Sequence, residues 1–86
     1  MDIRAILAAN LRALRHERGY SQEELAHRAD IDRTYISSLE RSVYAAGIDV
    51  VDRLARALGV EAADLLRTLD AHKNGRVSKR QRKRAP

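Results

Sequence analysis

The sequence predicts an all-α fold, a compact bundle of five helices. Three observations carry this. Apolar residues recur at three- and four-residue spacing through most of the first seventy positions, the period of helices with one buried face. Helix start and stop residues punctuate that pattern: Asp2, Ser21, Asp32 and Gly47 before runs, Gly19 and Gly59 after them. The aromatic complement is three tyrosines, so a core must be built from Leu, Ile, Val and Ala.

The first helix is expected from a cap at Asp2 to about Arg18, with Ile3, Ile6, Leu7, Leu11 and Leu14 on its apolar side. Gly19 suits the left-handed residue that closes a helix, and Arg18 suits its negative end. Tyr20 then packs as a core or rim aromatic. Ser21 and Glu24 stand at capping-box spacing, which starts a second helix of about two turns that buries Leu25, Ala26 and Ala29. Asp30 tolerates a turn or left-handed conformation, and Asp32 is an N-cap for a third helix from Arg33. Ile31 before that cap and Ile36 after it are spaced as a hydrophobic staple. Two short helices joined by so tight a turn must cross sharply, the geometry of a helix-turn-helix.

On a wheel with Arg33 at zero, Tyr35, Ile36 and Leu39 cluster between about 200° and 300°. The opposite face, centred near about 70°, carries Arg33, Thr34, Ser37, Ser38 and Arg41, with Glu40 on the boundary. Short hydroxyls and reaching guanidiniums are chemically suited to the DNA major groove, where arginine bonds guanine bidentately and a threonine methyl meets thymine. The same face also reads as solvated surface, and the wheel does not separate the two.

From Leu11 to Leu66 the chain resembles the phage-repressor (Cro/Xre-type) helix-turn-helix family, with its lambda-repressor-like DNA-binding fold. The carrying stretches are LRALRHERGYSQEELA, IDRTYISSLER and DVVDRLARALGV. The string DRTYISSLER is especially similar to the controller proteins of restriction–modification systems. The resemblance implies a transcription regulator that binds a palindromic operator as a homodimer. It implies that Arg33, Thr34 and Ser38 read bases, that Ser37 and Arg41 meet the backbone, and that Gln22 reaches a phosphate and steadies the recognition helix. It also implies a partly buried ion pair, Arg15 with Glu40, that orients that helix rather than touching DNA. The family's loop after the recognition helix departs here, since Ser42-Val43-Tyr44-Ala45-Ala46-Gly47 replaces a stretch that usually holds glycine, asparagine and proline. Its phosphate contacts are therefore open: Tyr44 or Ser42 would substitute a hydroxyl, or Val43 and Tyr44 cover the core.

A fourth helix is expected from about Ile48 to Leu58, burying Ile48, Val51, Leu54, Ala55 and Leu58, with Gly59 and Val60 as its stop. A fifth starts near Ala62. Its Leu65, Leu66 and Leu69 exceed what a terminal helix needs for one-sided packing, and the resemblance implies a dimer interface there; closure of the monomer core is the alternative.

The charge divides the chain. Residues 1–70 hold ten arginines against twelve acids, a formal −2, whereas residues 71–86 hold seven Lys/Arg and no acid. The net +5 is thus a property of the tail. The first stretch is expected to be the DNA-binding domain, and 71–86 a flexible basic arm that attracts phosphate. With no cysteine, disulfides and thiolate metal sites are excluded. The histidines lack metal-ligand spacing, the serines lack a partnered base, and no glycine-rich phosphate loop is present, so neither enzyme nor cofactor is expected. No stretch suits a membrane span or a signal peptide, so a cytoplasmic protein is expected. Two other readings stay open: an antitoxin-type module that neutralises a toxin by contact, and a non-specific nucleic-acid binder that uses only its tail.

Overall fold

The computed structural model describes residues 2–68. It holds α1 (Ile3–Arg18), α2 (Gln22–Ala29), α3 (Arg33–Glu40), α4 (Ile48–Leu58) and α5 (Ala62–Leu65). Leu69 and the basic stretch from Lys73 to Pro86 lie outside the described residues. One aliphatic core binds all five helices, from Leu7 and Leu11 of α1 through Leu25, Ile36, Leu39, Leu54 and Leu58 to Leu65 of α5.

The first four helices end in the same way. Gly19, Asp30, Ser42 and Gly59 are each left-handed, with φ of 76°, 59°, 62° and 74°. In each case that residue's N–H donates three residues back and the next N–H donates five back, as in Gly19 to His16 and Tyr20 to Arg15, both 3.0 Å. These bonds satisfy carbonyls that the helix leaves open. Glycine adopts the conformation without steric cost, but a Cβ there meets the following carbonyl oxygen. Asp30 is of the type that tolerates it; Ser42 is not. Ser42→Gly should therefore raise stability by about 0.5–1 kcal/mol, the relief of left-handed strain less glycine's greater freedom in the unfolded chain. Thermal unfolding would show a melting point a few degrees higher (about 4 °C), and Ser42→Val should move it the other way.

Three arginines staple helix ends across the bundle. Arg12 of α1 donates to the carbonyl of Glu40, the last residue of α3. Arg18 donates to Leu58 O, the last of α4, at 2.8 Å. Arg53 of α4 donates to Asp30 O after α2 at 3.1 Å. A cation at a carbonyl-rich helix end is favourable twice over, as donor and as opposite charge. The sequence pattern matched Arg18 to its own helix end; the fold sends it to another.

Several expectations need correction. Ile48 is 87% exposed. It opens α4 about 70° from the centre of the stripe formed by Val51, Leu54, Ala55 and Leu58, at an end that no helix covers. Ile3 likewise stands exposed at the start of α1. Val43 and Tyr44 do not cover the core; both are exposed. Ser21 caps α2 by accepting from Glu24 N at 3.0 Å. The reciprocal half of the expected box is replaced, because Glu24 turns to Arg28 Nε at 2.7 Å. A full capping box stands instead at α5, between Glu61 and Asp64. Of the leucines that close the chain, Leu65 is fully buried in the core and Leu66 is exposed.

Asn10 was not singled out by its pattern. It is buried among the apolar residues of α1, and its Nδ2 donates to Leu65 O at 2.9 Å and to Arg67 O at 2.6 Å. One amide thus fastens the end of α5 to the middle of α1.

Candidate nucleic-acid interface

The candidate surface is α3 and what holds it. Asp32 caps the helix through Thr34 N at 2.8 Å. Thr34's backbone N–H, then its hydroxyl, then the charge of Arg33 hold the Asp32 carboxyl below the usual carboxylate range. The cap is therefore present at neutral pH and is lost only as pH falls through that lowered value. Ile31 and Ile36 flank the cap and both join the core, which fixes the direction in which the chain enters the helix. Tyr35, Ile36 and Leu39 turn inward as the wheel indicates.

Arg33, Thr34 and Arg41 are exposed, and Ser37 is half-buried. The Arg41 Nε donates to Ser37 O at 3.3 Å, one turn back, and the rest of its guanidinium faces outward. Ser38 departs from the expected face. It is 7% exposed, because it lies beneath the turn that brings Val43 N onto its carbonyl at 3.0 Å. Ser38 is thus buried and leaves the expected polar face, whose remaining members are the exposed Arg33, Thr34 and Arg41 and the half-buried Ser37.

The far end of α3 is clamped by charge. Arg15 and Glu40 are 9% and 4% exposed, and they meet bidentately, Nε to Oε2 at 2.6 Å and Nη2 to Oε1 at 3.0 Å. The remaining Arg15 Nη1 donates to Tyr20 O at 2.9 Å. Gln22, the first residue of α2, donates Nε2 to Glu40 Oε1 at 3.1 Å. With Arg12 on its carbonyl, Glu40 is held by α1 through side chain and backbone and by α2 through Gln22. The turn between α1 and α2 is buttressed too: the Arg28 guanidinium lies 4.4 Å from the Tyr20 ring centre, a cation–π contact. Arg15 and Glu40 were legible from the family pattern. Arg12 was not, because its partner is a carbonyl that no side-chain pattern announces.

A second feature lies on another side of the bundle. An apolar groove of about 520 Å³ runs between the starts of α1 and α4 and the end of α5, lined by Ile3, Leu7, Ile48, Val51, Ala62 and Leu66 among others. Among the described residues, no group of His, Cys, Asp and Glu is placed to hold a metal ion. No described helix is long and apolar enough to cross a membrane.

A capped helix pair crossing at a left-handed aspartate, with the second helix showing an arginine- and hydroxyl-bearing face, defines a DNA-binding helix-turn-helix. The chain belongs to the Cro/Xre-type helix-turn-helix family, whose sequence profile matches residues 11–65. It is similar to a hypothetical transcription factor of Neisseria meningitidis, 46% identical over 65 residues, which are 76% of this chain and 61% of that protein. The crystal structure of a hypothetical transcription factor, NHTF, from Neisseria superposes with a TM-score of 0.83 over 85% of this chain and 84% of the other, at 41% identity. The control protein C.BamHI of Bacillus amyloliquefaciens is 38% identical over 66 residues, covering 76% of this chain and 82% of that one. The restriction–modification controller protein C.Esp1396I, solved as a tetramer with its natural 35 base-pair operator, matches at 28% identity with a TM-score of 0.70. That match covers 76% of this chain and 86% of the controller.

Proposed function

We propose that the chain is a sequence-specific transcription regulator that binds a palindromic operator in double-stranded DNA as a homodimer. The observation that carries the reading is the face of Arg33, Thr34 and Arg41, all exposed, with the half-buried Ser37, on a helix whose far end is clamped by Arg12, Arg15 and Gln22. Base recognition needs side chains held in register with base edges, and a helix anchored at both ends supplies that. Arg33 and Thr34, in the first turn, approach the bases; Ser37 and Arg41 meet the phosphate backbone. Gln22 has a second donor hydrogen on the amide that holds Glu40, and it turns that donor to a phosphate at the start of α2, where the helix dipole also favours an anion. The operator complex known for C.Esp1396I supports a DNA partner of this kind.

The exposed Leu66, Ile48 and Ile3 around the apolar groove support a two-fold interface on the side of α5. Two-fold symmetry places recognition helices in half-sites about 34 Å apart. Residues 1–70 would be the binding domain and the basic residues 71–86 an arm that adds affinity through phosphate without choosing sequence. Regulation would then follow protein concentration and cooperative filling of operators in the cytoplasm, with neither cofactor nor catalysis.

The test is selection of bound sites from random duplexes, repeated with Arg33→Ala. Loss of one bidentate contact should cost about 1–3 kcal/mol at a single base position and relax preference there. Equal weakening on the selected site and on scrambled DNA would make Arg33 a phosphate ligand and remove it from base reading.

A further inference from the structure

We propose that the turn closing α3 at Ser42 couples two surfaces: a second copy of the chain seated in the apolar groove holds this turn shut, and the shut turn holds Arg41 in place for DNA. This rests on the DNA-binding homodimer reading above. The segment from Arg41 to Gly47 belongs to both surfaces. At its start, Ser42 N donates to Leu39 O at 3.1 Å and Val43 N to Ser38 O at 3.0 Å, which closes the helix. Toward its far end, Ala45 and Ala46 line the groove beside Ile48, and Ala46 also packs on the core. Between these anchors the Tyr44 ring meets that of Tyr35 on α3 edge to face, with centroids 6.1 Å apart. A displacement of the groove wall is therefore passed to the end of α3.

The residue at the turn gives it two states. Ser42 is left-handed, with φ of 62°, so its Cβ crowds the following carbonyl oxygen. Relaxing Ser42 to an ordinary conformation relieves that strain and gives up the two closing bonds. The release stops at Glu40, whose carbonyl is held by Arg12 and whose carboxylate is held by Arg15 and Gln22. Arg41 lies between that clamp and Ser42, so its backbone follows the turn. A partner resting on Ala45 and Ala46 favours the closed state, which gives the groove wall the shape the partner contacts. DNA held through Arg41 favours the same state. Two ligands that prefer one state raise each other's affinity. The groove suits a second copy as its occupant, because Arg4 and Asp49 both line it. A copy turned by a two-fold can set these unlike charges against each other.

The experiment measures dimer dissociation of the full chain by sedimentation, alone and with a saturating short duplex that carries one selected half-site. It is run on the wild type and on Ser42→Gly. One half-site engages one protomer, so avidity does not enter. Linkage requires DNA to tighten the wild-type dimer, by about 5-fold for each half-site bound. Repulsion between two bound duplexes acts the other way and cannot imitate this. Glycine takes the left-handed conformation without strain, so Ser42→Gly keeps the turn closed in the monomer. Its dimer should be tighter than the wild type's without DNA, and the further tightening by DNA should shrink below about 2-fold. End-to-end stacking of duplexes would be the same in both proteins. A wild-type dimer that DNA leaves unchanged or weakens overturns the coupling alone. So does a tightening of equal size in both proteins, which places its cause outside the Ser42 turn. A wild type that stays monomeric at high micromolar concentration, with and without DNA, overturns the homodimer reading and the coupling with it. A wild type that binds no duplex overturns the DNA-binding reading.

Discussion

Replacing Glu40 by alanine is expected to cost about 3–5 kcal/mol, the penalty for leaving a buried charge without its partner. The Arg15 guanidinium would remain nearly enclosed, with its two bonds to the carboxylate gone and only the neutral Tyr20 carbonyl and His16 ring nitrogen beside it. Gln22 would lose its acceptor as well. A small domain has a total stability near the low end of about 5–15 kcal/mol, so the variant should sit close to its unfolding midpoint at room temperature. Urea denaturation measures the loss directly. Glu40→Gln, which keeps the shape and one acceptor, should cost less. Arg15→Met combined with Glu40→Leu should recover much of the stability, because two apolar residues carry no desolvation penalty. The same double variant should bind DNA less well than its stability suggests, since α3 would keep only Arg12 at its far end. A loss below about 1 kcal/mol for Glu40→Ala would mean that water screens the pair as it does at a surface.

Charging the apolar groove is expected to separate the proposed homodimer while leaving the fold alone. Ile48→Asp suits this test. The residue is almost wholly exposed in the monomer and stands at the first position of α4, where a carboxylate favours the helix. The monomer's stability should change by less than about 0.5 kcal/mol. Sedimentation should shift from dimer to monomer, and operator affinity should fall by about 10²–10⁴-fold as the two half-sites cease to be bound together. Leu66→Asp should act in the same direction. If both variants remain dimeric, the two-fold lies elsewhere on the surface. If the wild type is itself monomeric at high micromolar concentration, the apolar groove serves a protein of another kind, which is the outcome that an antitoxin-like role requires.

The features legible from the chain alone are local. Asp2, Ser21, Asp32, Gly19, Asp30 and Gly59 start and stop helices through bonds within a few residues, so their roles follow from neighbours in the chain, and the ends of α1 and α4 were legible for that reason. The exposed face of α3 was legible where the period of the helix alone decides it, at Arg33, Thr34 and Arg41. Tertiary structure decided whatever depends on which element lies opposite. Ile48 has the right chemistry for the core and the right spacing within one turn, but no helix covers the start of α4, so it faces outward. Ser38 has the chemistry of a surface residue, but the turn after α3 folds over it. Leu65 and Leu66 are adjacent and identical in type; one fills the core and the other leaves it, because the four-residue α5 offers the bundle a single direction. Arg12, Arg18 and Arg53 find carbonyls at the ends of other helices, partners present at every residue and therefore invisible to any side-chain pattern. A backbone acceptor becomes specific only when packing brings one helix end beside another helix's arginine, and that juxtaposition is fixed by the burial of the whole core.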